Sequence, residues 1–545
     1  MGIILESEVV APCKDLSLIG NLRPTQGATA HRFRESFPVL QIYIMSALIY
    51  RSGRRVCAPS VHTPLSRSLA APASKPVASE EEKAAKAELA ALVVRSRAAQ
   101  KQIENYTQEQ VNHLIKAMVW SVCQPGVAEK IAQFTVDESR LGNYDGKYLK
   151  IFRKTRATLM DIIDDKSVGV IEEDKARNLY KIAKPIGVIG ALSPSTNPEA
   201  TPVIKSISSI KGRNSIIIAP HPRAKKTNKM IVDLMRAAIV KCGAPADLVL
   251  SIDEPSLTKT NELMKQCDRV LATGGNPMVK AAYSSGTPAL GVGVGNAVVT
   301  VDDTANIVEA AEKIRISKTL DFAASCSADN SLLVFEKVYD ETLAQLIKQG
   351  GHVLNDEEKK KLQAVTWVDG HLNPNVVAQP PEVIAGMAGI KIPAGAKFFI
   401  VKETGVGPSC PFSGEKLSVT LTLYKVKDIK EATNLTNIIQ AYQGQGHSCG
   451  IYSNNDANIL HLATHTKTSR VMVNQPQAAS NSGNLWNGMR QTFSLGCGSW
   501  GGNSINHNIT WKDLINETWV SKPLAVTKVI PSDEVLFGKE IMNMK

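Results

Sequence analysis

The chain has 545 residues, of which 43% are hydrophobic, 21% charged and 5% aromatic. This composition is typical of a globular protein and excludes a collagen-like or wholly disordered chain. No apolar run approaches the roughly 18 residues of a membrane-spanning helix, so we expect no membrane partner. The length corresponds to about three or four domains and can bury a large core without disulfides.

The net charge of +12 arises from 63 Lys and Arg residues against 51 Asp and Glu residues. Nucleic-acid binding would require basic residues gathered on one face or interleaved with aromatic ones. The sequence shows only short basic runs such as Lys359-Lys360-Lys361. A basic enzyme, or a basic leader on a near-neutral body, accounts for the charge, and we expect no nucleic-acid partner.

The nine cysteines are scattered along the chain, at positions 13, 57, 123, 242, 267, 326, 410, 449 and 497. No two of them have the C-x-x-C spacing of a zinc ribbon or a redox dithiol. The pattern is typical of free thiols in a reducing compartment. We therefore expect no metal site.

Residues 1–79 differ in composition from the rest of the chain. No acidic residue lies between Glu35 and Glu80. From Met45 onward, MSALIYRSGRRVCAPSVHTPLSRSLAAPAS is rich in Arg and Ser and free of acids, as transit peptides are. We expect a disordered leader, with a mitochondrial location if it is a transit peptide and a cytoplasmic location otherwise.

From Glu80 the sequence EEEKAAKAELAALVVRSRAAQKQIENY predicts a long amphipathic helix, and helical patterns continue to about residue 165. After Lys184, short apolar runs alternate with helical patterns. Five of these runs predict buried parallel strands, at 185–192, 214–220, 247–252, 269–274 and 296–301. A second strand–helix series starts near Asp329. The alternation predicts a doubly wound α/β fold.

Ligands bind to such sheets in the loops that follow the carboxyl ends of the strands. Thr273, Gly274 and Gly275 end one predicted strand and precede a predicted helix, whose free N–H groups suit a phosphate. The GVGVGN segment (291–296), which includes Gly293, is another such loop. No G-x-G-x-x-G opens a helix, so taken alone each glycine cluster is more typical of a tight turn than of a cofactor site.

Two further residues are candidates for chemistry. Cys326 lies among small residues in TLDFAASCSADNSLL, between a helix and a strand, where a thiol could act as a nucleophile. Local sequence alone favours the alternative of a small buried core residue. His447 lies in the glycine-rich QGQGHSCGIY and could be an acid or base, although a lone loop histidine is usually a surface residue.

Together these segments resemble the aldehyde dehydrogenase superfamily, and within it the CoA-acylating branch. That branch includes acetaldehyde, propionaldehyde, succinate-semialdehyde and sulfoacetaldehyde dehydrogenases and the aldehyde half of bifunctional aldehyde–alcohol dehydrogenases. The resemblance covers roughly residues 85 to 520. Its motifs stand in family order: STNP, NSIIIAPHPRAK, LATGG-x-x-MVKAAYSSG-x-PA-x-GVG-x-GN, the Cys326 segment, GEKLS, GHSCGIY and LGCGSWGGNS.

The resemblance implies an α/β aldehyde dehydrogenase fold, with a Rossmann-like cofactor domain, a catalytic domain and an oligomerisation hairpin. We expect a leader over 1–79, a cofactor-binding domain over 80–317 and a catalytic domain over 318–485. Residues 486–545 would return to the cofactor domain and form the oligomerisation segment. The expected partners are a small aldehyde and CoA, with a homodimer or homotetramer as the assembly.

The resemblance also implies roles for three catalytic residues. Cys326 stands at the position of the family's catalytic thiolate, which attacks the aldehyde and becomes a thioester. Asn197, in STNP, stands where an asparagine amide completes the oxyanion hole with the backbone N–H of the nucleophile. His447 stands where a histidine has been proposed as the acid or base that deprotonates the CoA thiol.

For the cofactor, NAD or NADP, the resemblance implies further positions. Thr273, Gly274 and Gly275 match the segment near the pyrophosphate, and Glu415, in GEKLS, matches the glutamate that holds the nicotinamide ribose. The adenosine-side K-P-x-E motif is replaced by His221-Pro222-Arg223-Ala224. The acid that binds a ribose 2′-hydroxyl is therefore missing, and Arg223 could accept a 2′-phosphate, so both cofactors are open.

One absence supports the acylating branch. Hydrolytic members carry a general-base glutamate in an E-L-G-G-K-type motif, and alignment of that motif with GVGVGNA puts Gly291 in its place. Without the carboxylate, water is poorly activated and a thioester should persist for CoA to attack. A hydrolytic aldehyde dehydrogenase and a non-catalytic binding protein on the same fold are the alternatives, and the identity of the aldehyde stays open.

The leader gives a first prediction. We expect a chain that begins near Glu80 to fold and to keep its activity, because residues 1–79 lack the periodic apolar pattern of a packed element. Residues 45–79 fused to a fluorescent reporter should direct it to mitochondria. A reporter that stays in the cytosol would reject the import hypothesis while leaving the truncation result unaffected.

Overall fold

The computed structural model describes residues 79–544, so the leader predicted over 1–79 lies outside the described residues apart from Ser79. The α-helices of the described range are α1 Glu80–Ile103, α2 Gln108–Cys123, α3 Val127–Ser139, α4 Tyr144–Tyr148, α5 Thr155–Ile162, α6 Thr201–Lys211, α7 Lys225–Lys241, α8 Leu257–Gln266, α9 Asn276–Tyr283, α10 Ile307–Thr319, α11 Tyr339–Lys348, α12 Asp356–Thr366, α13 Pro381–Ala388, α14 Ile429–Tyr442, α15 Asp456–His465, α16 Gln477–Ser480 and α17 Asp533–Met542.

The strands are β1 Gly169–Asp174, β2 Leu179–Pro185, β3 Val188–Ser193, β4 Ser215–Pro220, β5 Val249–Ser251, β6 Arg269–Thr273, β7 Ala289–Val292, β8 Ala297–Val301, β9 Asp329–Phe335, β10 Gly351–Val353, β11 Trp367–Val368, β12 His371–Leu372, β13 Phe398–Lys402, β14 Thr420–Val426, β15 Cys449–Tyr452, β16 Val471–Val473 and β17 Ile515–Ser521.

The predicted helix at residue 80 begins there because Ser79 caps it. The Ser79 side chain accepts a hydrogen bond from the backbone of Glu82, whose carboxylate accepts one from the backbone of Ser79. Helix α7 ends just before Gly243, whose φ of 75° is the left-handed conformation of a helix-terminating glycine. No helix within residues 79–544 is both long enough and apolar enough to cross a membrane.

Two parallel sheets form the body of the molecule, which confirms the α/β class. The first has the strand order β5-β4-β3-β6-β7, and the second has the order β10-β13-β14-β9-β8-β15-β16. Four of the five predicted strand runs form β3, β4, β5 and β6 of the first sheet. The fifth, β8, pairs with β9 and β15 in the second sheet, so its expected place in the first series is wrong.

The edge strand β7 was not anticipated, because a proline and two glycines within residues 286–291 interrupt its apolar pattern. It pairs with β6 and brings the chain to the carboxyl edge of the first sheet. The GVGVGN loop then leads directly from β7 into β8. This loop therefore connects the two parallel sheets, and residues of both sheets meet along it.

A third sheet is antiparallel, with the order β1-β2-β17. Its last strand pairs with β2 over seven residues, from Ile515 opposite Pro185 to Ser521 opposite Leu179. Just before β17, Trp511 is buried in the same core as Ile189 and Ile216 of the first sheet. The chain thus returns to its first sheet after crossing the second.

Candidate active site

Cys326 lies in a tight loop between a short 3₁₀ helix, Leu320–Ala323, and strand β9. Three consecutive residues before the loop, Asp321, Phe322 and Ala323, have φ between 50° and 60°, a left-handed conformation that costs free energy in non-glycine residues. The inter-sheet loop packs directly on the cysteine: a Cβ on Gly295 would lie 1.9 Å from the carbonyl oxygen of Cys326. Only glycine fits at this position.

His447 is fully buried and contacts the nucleophile. Its Nε2 lies 3.2 Å from the Sγ atom of Cys326, and its Nδ1 lies 2.9 Å from the Oγ atom of Ser448. Arg470 holds the backbone by donating from Nη1 to the carbonyl oxygen of His447 at 2.6 Å. The imidazole is therefore an oriented group with one nitrogen at the thiol, rather than a surface side chain.

The electrostatics of this pair keep both groups neutral. Burial raises the pKa of the Cys326 thiol to about 12, and the negative charge of Glu415 acts in the same direction. Burial, with the nearby Arg470 cation, lowers the pKa of His447 to about 3. At neutral pH a thiol therefore faces an uncharged imidazole, which can accept its proton.

Asn197 lies close to the same loop. Its Oδ1 atom accepts a hydrogen bond of 2.6 Å from the ammonium of Lys150, and its Nδ2 donates to the Oγ1 atom of Thr196 at 3.3 Å. One of the two amide N–H bonds is left for another acceptor. Within residues 79–544 the backbone N–H of Cys326 donates to no protein group. Two donors for an oxyanion are thus available beside the thiol.

Four buried charged side chains lie beneath Asn197 and the cysteine loop. Asp321 accepts from Lys150, and from Lys147 at 2.8 Å. Lys147 also lies 3.8 Å from Glu199, and all four side chains are 8% exposed or less. Buried charges of this kind are tolerated when they are paired. Asp321 is paired with both lysines, whereas the two Glu199 oxygens have no hydrogen-bond partner among the described residues, and burial raises the pKa of Glu199.

A cavity of about 270 Å³ reaches Cys326 from one side. Its walls come from the π-helical turn Leu149–Lys154 between α4 and α5, from α10, and from the segment 478–495. The lining includes three cations, Lys150, Arg153 and Lys154, but no Asp or Glu among the described residues. Lys154 closes one wall by donating to the carbonyl oxygens of Ser482 and Gly483.

A second cavity, of about 500 Å³, reaches Cys326 from the other side, at the carboxyl edge of the first sheet. Three buried hydroxyl oxygens on its walls, those of Ser193, Thr201 and Thr273, have no hydrogen-bond partner in the described protein. Orphaned polar atoms beside a glycine turn and a helix start suit a phosphate-bearing dinucleotide. The cavity fits NAD or NADP, and its lining contains most of the predicted cofactor residues: Thr273, Gly274, Gly275, His221, Pro222, Gly293 and Glu415.

Arg223 is the predicted cofactor residue that does not line this cavity. It is exposed, and its backbone N–H donates to Nδ1 of His221 at the rim. Glu415 lies at the inner end, where its Oε1 atom accepts from the backbone N–H of Gly295 at 3.2 Å. Burial raises the pKa of Glu415 to about 8, so the carboxyl can hold a proton and donate as well as accept.

At Gly291 the structure leaves no room for a general base. A Cβ at this position would lie 2.6 Å from Cε2 of Tyr283 and 2.7 Å from Cγ1 of Val279. The tyrosine ring is held in place, because its hydroxyl accepts hydrogen bonds from the backbone N–H groups of Gly291 at 2.8 Å and of Ser504 at 2.9 Å. Glu415 is the one carboxylate that lines either cavity among the described residues.

The sequence profile of the aldehyde dehydrogenase family matches residues 66–363. A sulfoacetaldehyde dehydrogenase of Acholeplasma sp is 44% identical over 458 residues, 83% of this chain and 94% of that protein. A succinate-semialdehyde dehydrogenase (acetylating) of Clostridium kluyveri is 39% identical, over 82% of this chain and 98% of that protein. An acetylating aldehyde dehydrogenase from Geobacillus thermoglucosidasius superposes with a TM-score of 0.79 at 35% identity, covering 83% of this chain and all of that one.

The chain belongs to the aldehyde dehydrogenase family. Its similarity to acylating members over more than four fifths of its length puts it in the CoA-acylating branch, as the motifs predicted. Cys326, Asn197 and His447, more than 100 residues apart in sequence, lie together between the two cavities. The interpretation of Cys326 as an ordinary core residue is wrong in this respect, because the thiol lines both cavities.

Sequence reasoning missed Lys150, Asp321 and Tyr283. The two charged residues stand in an ordinary helical pattern and an ordinary loop, and nothing in their local sequence indicates burial. The sequence did contain a signal for Tyr283. A bulky residue on α9 needs space at the sheet edge, and Gly291, which has no side chain, provides it.

The raised thiol pKa gives a prediction for the pH dependence of Cys326. Because the pKa is about 12, the thiolate fraction should rise about tenfold per pH unit up to pH 10, without the levelling near pH 9 of an ordinary thiol. The measurement is the rate of iodoacetamide modification of the Cys326 peptide, followed by mass spectrometry. The His447→Ala variant, which lacks the acceptor 3.2 Å away, should react several-fold more slowly at pH 8. A plateau near pH 7 would contradict the predicted electrostatics.

Proposed function

We propose that the protein oxidises an aldehyde to a CoA thioester with NAD or NADP as oxidant: aldehyde + CoA + NAD(P)⁺ gives acyl-CoA + NAD(P)H + H⁺. The observation that carries this proposal is the position of Cys326. Its thiol lines both the smaller cavity, which suits an aldehyde, and the larger cavity, which suits a dinucleotide, with His447 and Asn197 beside it.

In the first half-reaction the chain's own groups supply the acid–base and electrostatic steps. His447 Nε2 accepts the thiol proton as the sulfur of Cys326 attacks the carbonyl carbon, and a thiohemiacetal alkoxide forms. The Asn197 amide and the Cys326 backbone N–H stabilise that alkoxide. NAD(P), held by the residues that line the larger cavity, would supply the hydride acceptor, and loss of hydride from the alkoxide carbon leaves Cys326 as a thioester.

In the second half-reaction the CoA thiol attacks the thioester. His447 first releases to solvent the proton that it took from Cys326, which is the H⁺ of the overall equation. Its imidazole is then uncharged, because burial lowers its pKa to about 3, and it is the proposed acceptor of the CoA thiol proton. The tetrahedral alkoxide forms at the same carbonyl, so the same two donors stabilise it. The Cys326 thiolate then leaves and takes the proton back from His447 Nε2, 3.2 Å away, and the acyl-CoA departs.

The structure supports thioester transfer to CoA over hydrolysis. Water attack needs a general base, and the position at which hydrolytic relatives carry one is Gly291, whose Cβ direction is filled by Tyr283. His447 is buried against the thiol and is the remaining base. A free-acid product is therefore the second candidate only, and no observation favours it.

We propose further that the aldehyde carries an anionic group. The smaller cavity has three basic side chains and no carboxylate in its lining, and burial lowers the pKa of one of them, Lys154, to about 7. Lys150 and Lys154 are committed to protein acceptors, but Arg153 is exposed and makes no ion pair or hydrogen bond within residues 79–544. The names of two relatives, sulfoacetaldehyde and succinate-semialdehyde dehydrogenase, also denote anionic aldehydes.

Assembly and location are proposals as well. The β1-β2-β17 sheet supports a homodimer or homotetramer, because β17 is an edge strand with its Trp519 side chain exposed. The acid-free segment 45–79 supports mitochondrial import. The relatives reported above are bacterial and lend this location no support.

The reaction type is tested by cofactor and product. We expect NAD(P)H formation from short aldehydes to need CoA for continued turnover and to yield one thioester per NAD(P)H, because the position at which hydrolytic members carry the water-activating glutamate, Gly291, has no room for a side chain. The measurement couples absorbance at 340 nm to thioester detection. Equal turnover without CoA, with a free acid as product, would move the protein to the hydrolytic class.

The substrate class is tested at Arg153. Arg153→Ala should raise the KM of sulfoacetaldehyde or succinate semialdehyde about tenfold, the effect of one charge-assisted hydrogen bond at a partly exposed site. The KM of propionaldehyde, which has no anion, should change less than twofold. Lys116→Ala, an exposed cation on α2 away from the cavity, is the matched control. Equal effects of Arg153→Ala on charged and neutral aldehydes would refute the anionic class.

A further inference from the structure

The amide of Asn197 can stabilise an oxyanion only if its NH₂ group, and not its oxygen, points at the reacting carbon. An asparagine amide has two orientations of similar shape, and its hydrogen-bond partners decide between them. Here the oxygen is fixed by Lys150, which can donate but cannot accept. An ammonium at Oδ1 therefore admits one orientation, with the N–H groups on the opposite side.

Lys150 also contacts the nucleophile loop. Its three N–H bonds are directed to Oδ1 of Asn197, to the carboxylate of Asp321, and to the carbonyl oxygen of Ala324 at 3.3 Å. Ala324 precedes Cys326 by two residues. One ammonium thus ties the side-chain donor of the oxyanion hole to the loop that carries the backbone donor.

The surroundings hold this side chain in place. Burial lowers the pKa of Lys150, and the charge of Asp321 acts against that change. Asp321 is itself fixed by Lys147 and by the backbone N–H of Asn143. A Cβ on Gly142 would lie 1.8 Å from Oδ1 of Asp321, so the missing side chain makes room for the carboxylate.

The backbone around Lys150 is unusual. Residues Leu149–Lys154 form a π-helical turn between α4 and α5, a rare conformation that is frequent at functional sites. Lys150 lies near its start, and Asp321 lies in the left-handed run before Cys326. Both partners of the ion pair therefore come from locally strained segments, which persist only where surrounding contacts determine them.

We propose that Lys150 is a positioning residue for the oxyanion hole, one that orients the Asn197 amide and fixes its distance from the backbone N–H of Cys326. The inference rests on the proposed function, because the hole serves the thiohemiacetal and thioester steps. Lys150 acts through Asn197 and not on the substrate directly. A positioning role predicts an energetic coupling between Lys150 and Asn197, which a purely structural lysine would not have.

A double-mutant cycle tests the proposal. Lys150→Met keeps the length of the side chain and leaves Asp321 paired with Lys147, so the fold should be retained. We expect the pre-steady-state rate of NAD(P)H formation to fall about 100-fold, as for loss of an oxyanion donor, with the aldehyde KM within about threefold. Asn197→Ala should show a similar loss, and Lys150→Met should cost less than about threefold more in the Asn197→Ala background. Lys150→Arg should recover about tenfold over Lys150→Met.

Lys154→Met is the matched control, because it removes a cation from the same π-helical turn that contacts no atom of Asn197. Its effect, whatever its size, should be the same in the wild-type and Asn197→Ala backgrounds. If Lys150→Met lowers the rate by equal factors in both backgrounds, Lys150 is structural and the proposal is wrong.

A crystal structure of Lys150→Met provides a readout that does not depend on turnover. We expect the Asn197 amide to rotate, or its distance from Ala324 to change, relative to the wild-type protein. An unchanged amide would overturn the proposal even if activity were lost. A wild-type protein that releases free acid without CoA would refute the acylating function alone, since either reaction passes through the same alkoxide and the cycle is still measured.

Discussion

The contact between Gly295 and the carbonyl oxygen of Cys326 is the constraint on which the site depends. The loop between β7 and β8 is the path from the first parallel sheet to the second, and it lies directly against the nucleophile loop. Because backbone meets backbone there, the dinucleotide cavity of one sheet and the cysteine of the other share a wall. Glu415 reinforces the contact by accepting from the N–H of Gly295.

Around this contact the protein arranges charge by two different means. At the reacting centre it keeps groups neutral: burial holds the thiol protonated, the imidazole unprotonated and Glu415 close to half-protonated near pH 8. Beneath the centre it buries formal charges, but pairs Lys147 and Lys150 with Asp321. The neutral groups can exchange protons during reaction, whereas the paired ions hold geometry and are costly to disturb.

Much of the fold was predictable because its signals are local. Apolar runs bounded by turn residues predicted four strands of the first sheet, and the change to helix-forming residues at Glu80 predicted the start of α1. The sheet to which a strand belongs was harder to predict. The apolar pattern of β8 is like that of β3 to β6, because a buried parallel strand has the same pattern in either sheet. The short strand β7 was hidden by the proline and two glycines within residues 286–291, which interrupt its apolar pattern.

The candidate site also contains residues that the sequence predicted and residues that it did not. Cys326, Asn197 and His447 were found through motifs of a known family, and local residue chemistry favoured a core thiol and a surface histidine instead. Lys150 and Asp321 carry no motif, because their function lies in a contact between residues 171 positions apart. Only coordinates reveal that a lysine in a helical pattern is buried.

The tyrosine packed on Gly291 has a consequence for how such enzymes can diverge. A change from thioester transfer to hydrolysis is not one substitution away, because a glutamate introduced at residue 291 would collide with a ring anchored by the backbone of Gly291 and Ser504. Tyr283 would first have to be replaced by a smaller residue, and Val279, 2.7 Å from the same Cβ position, would also have to move. A sequence with only the smaller residue at 283 would have a gap beside Gly291 and no new base. A steric clash therefore separates the two chemistries. Evolution or engineering must make at least two coordinated substitutions to change one into the other.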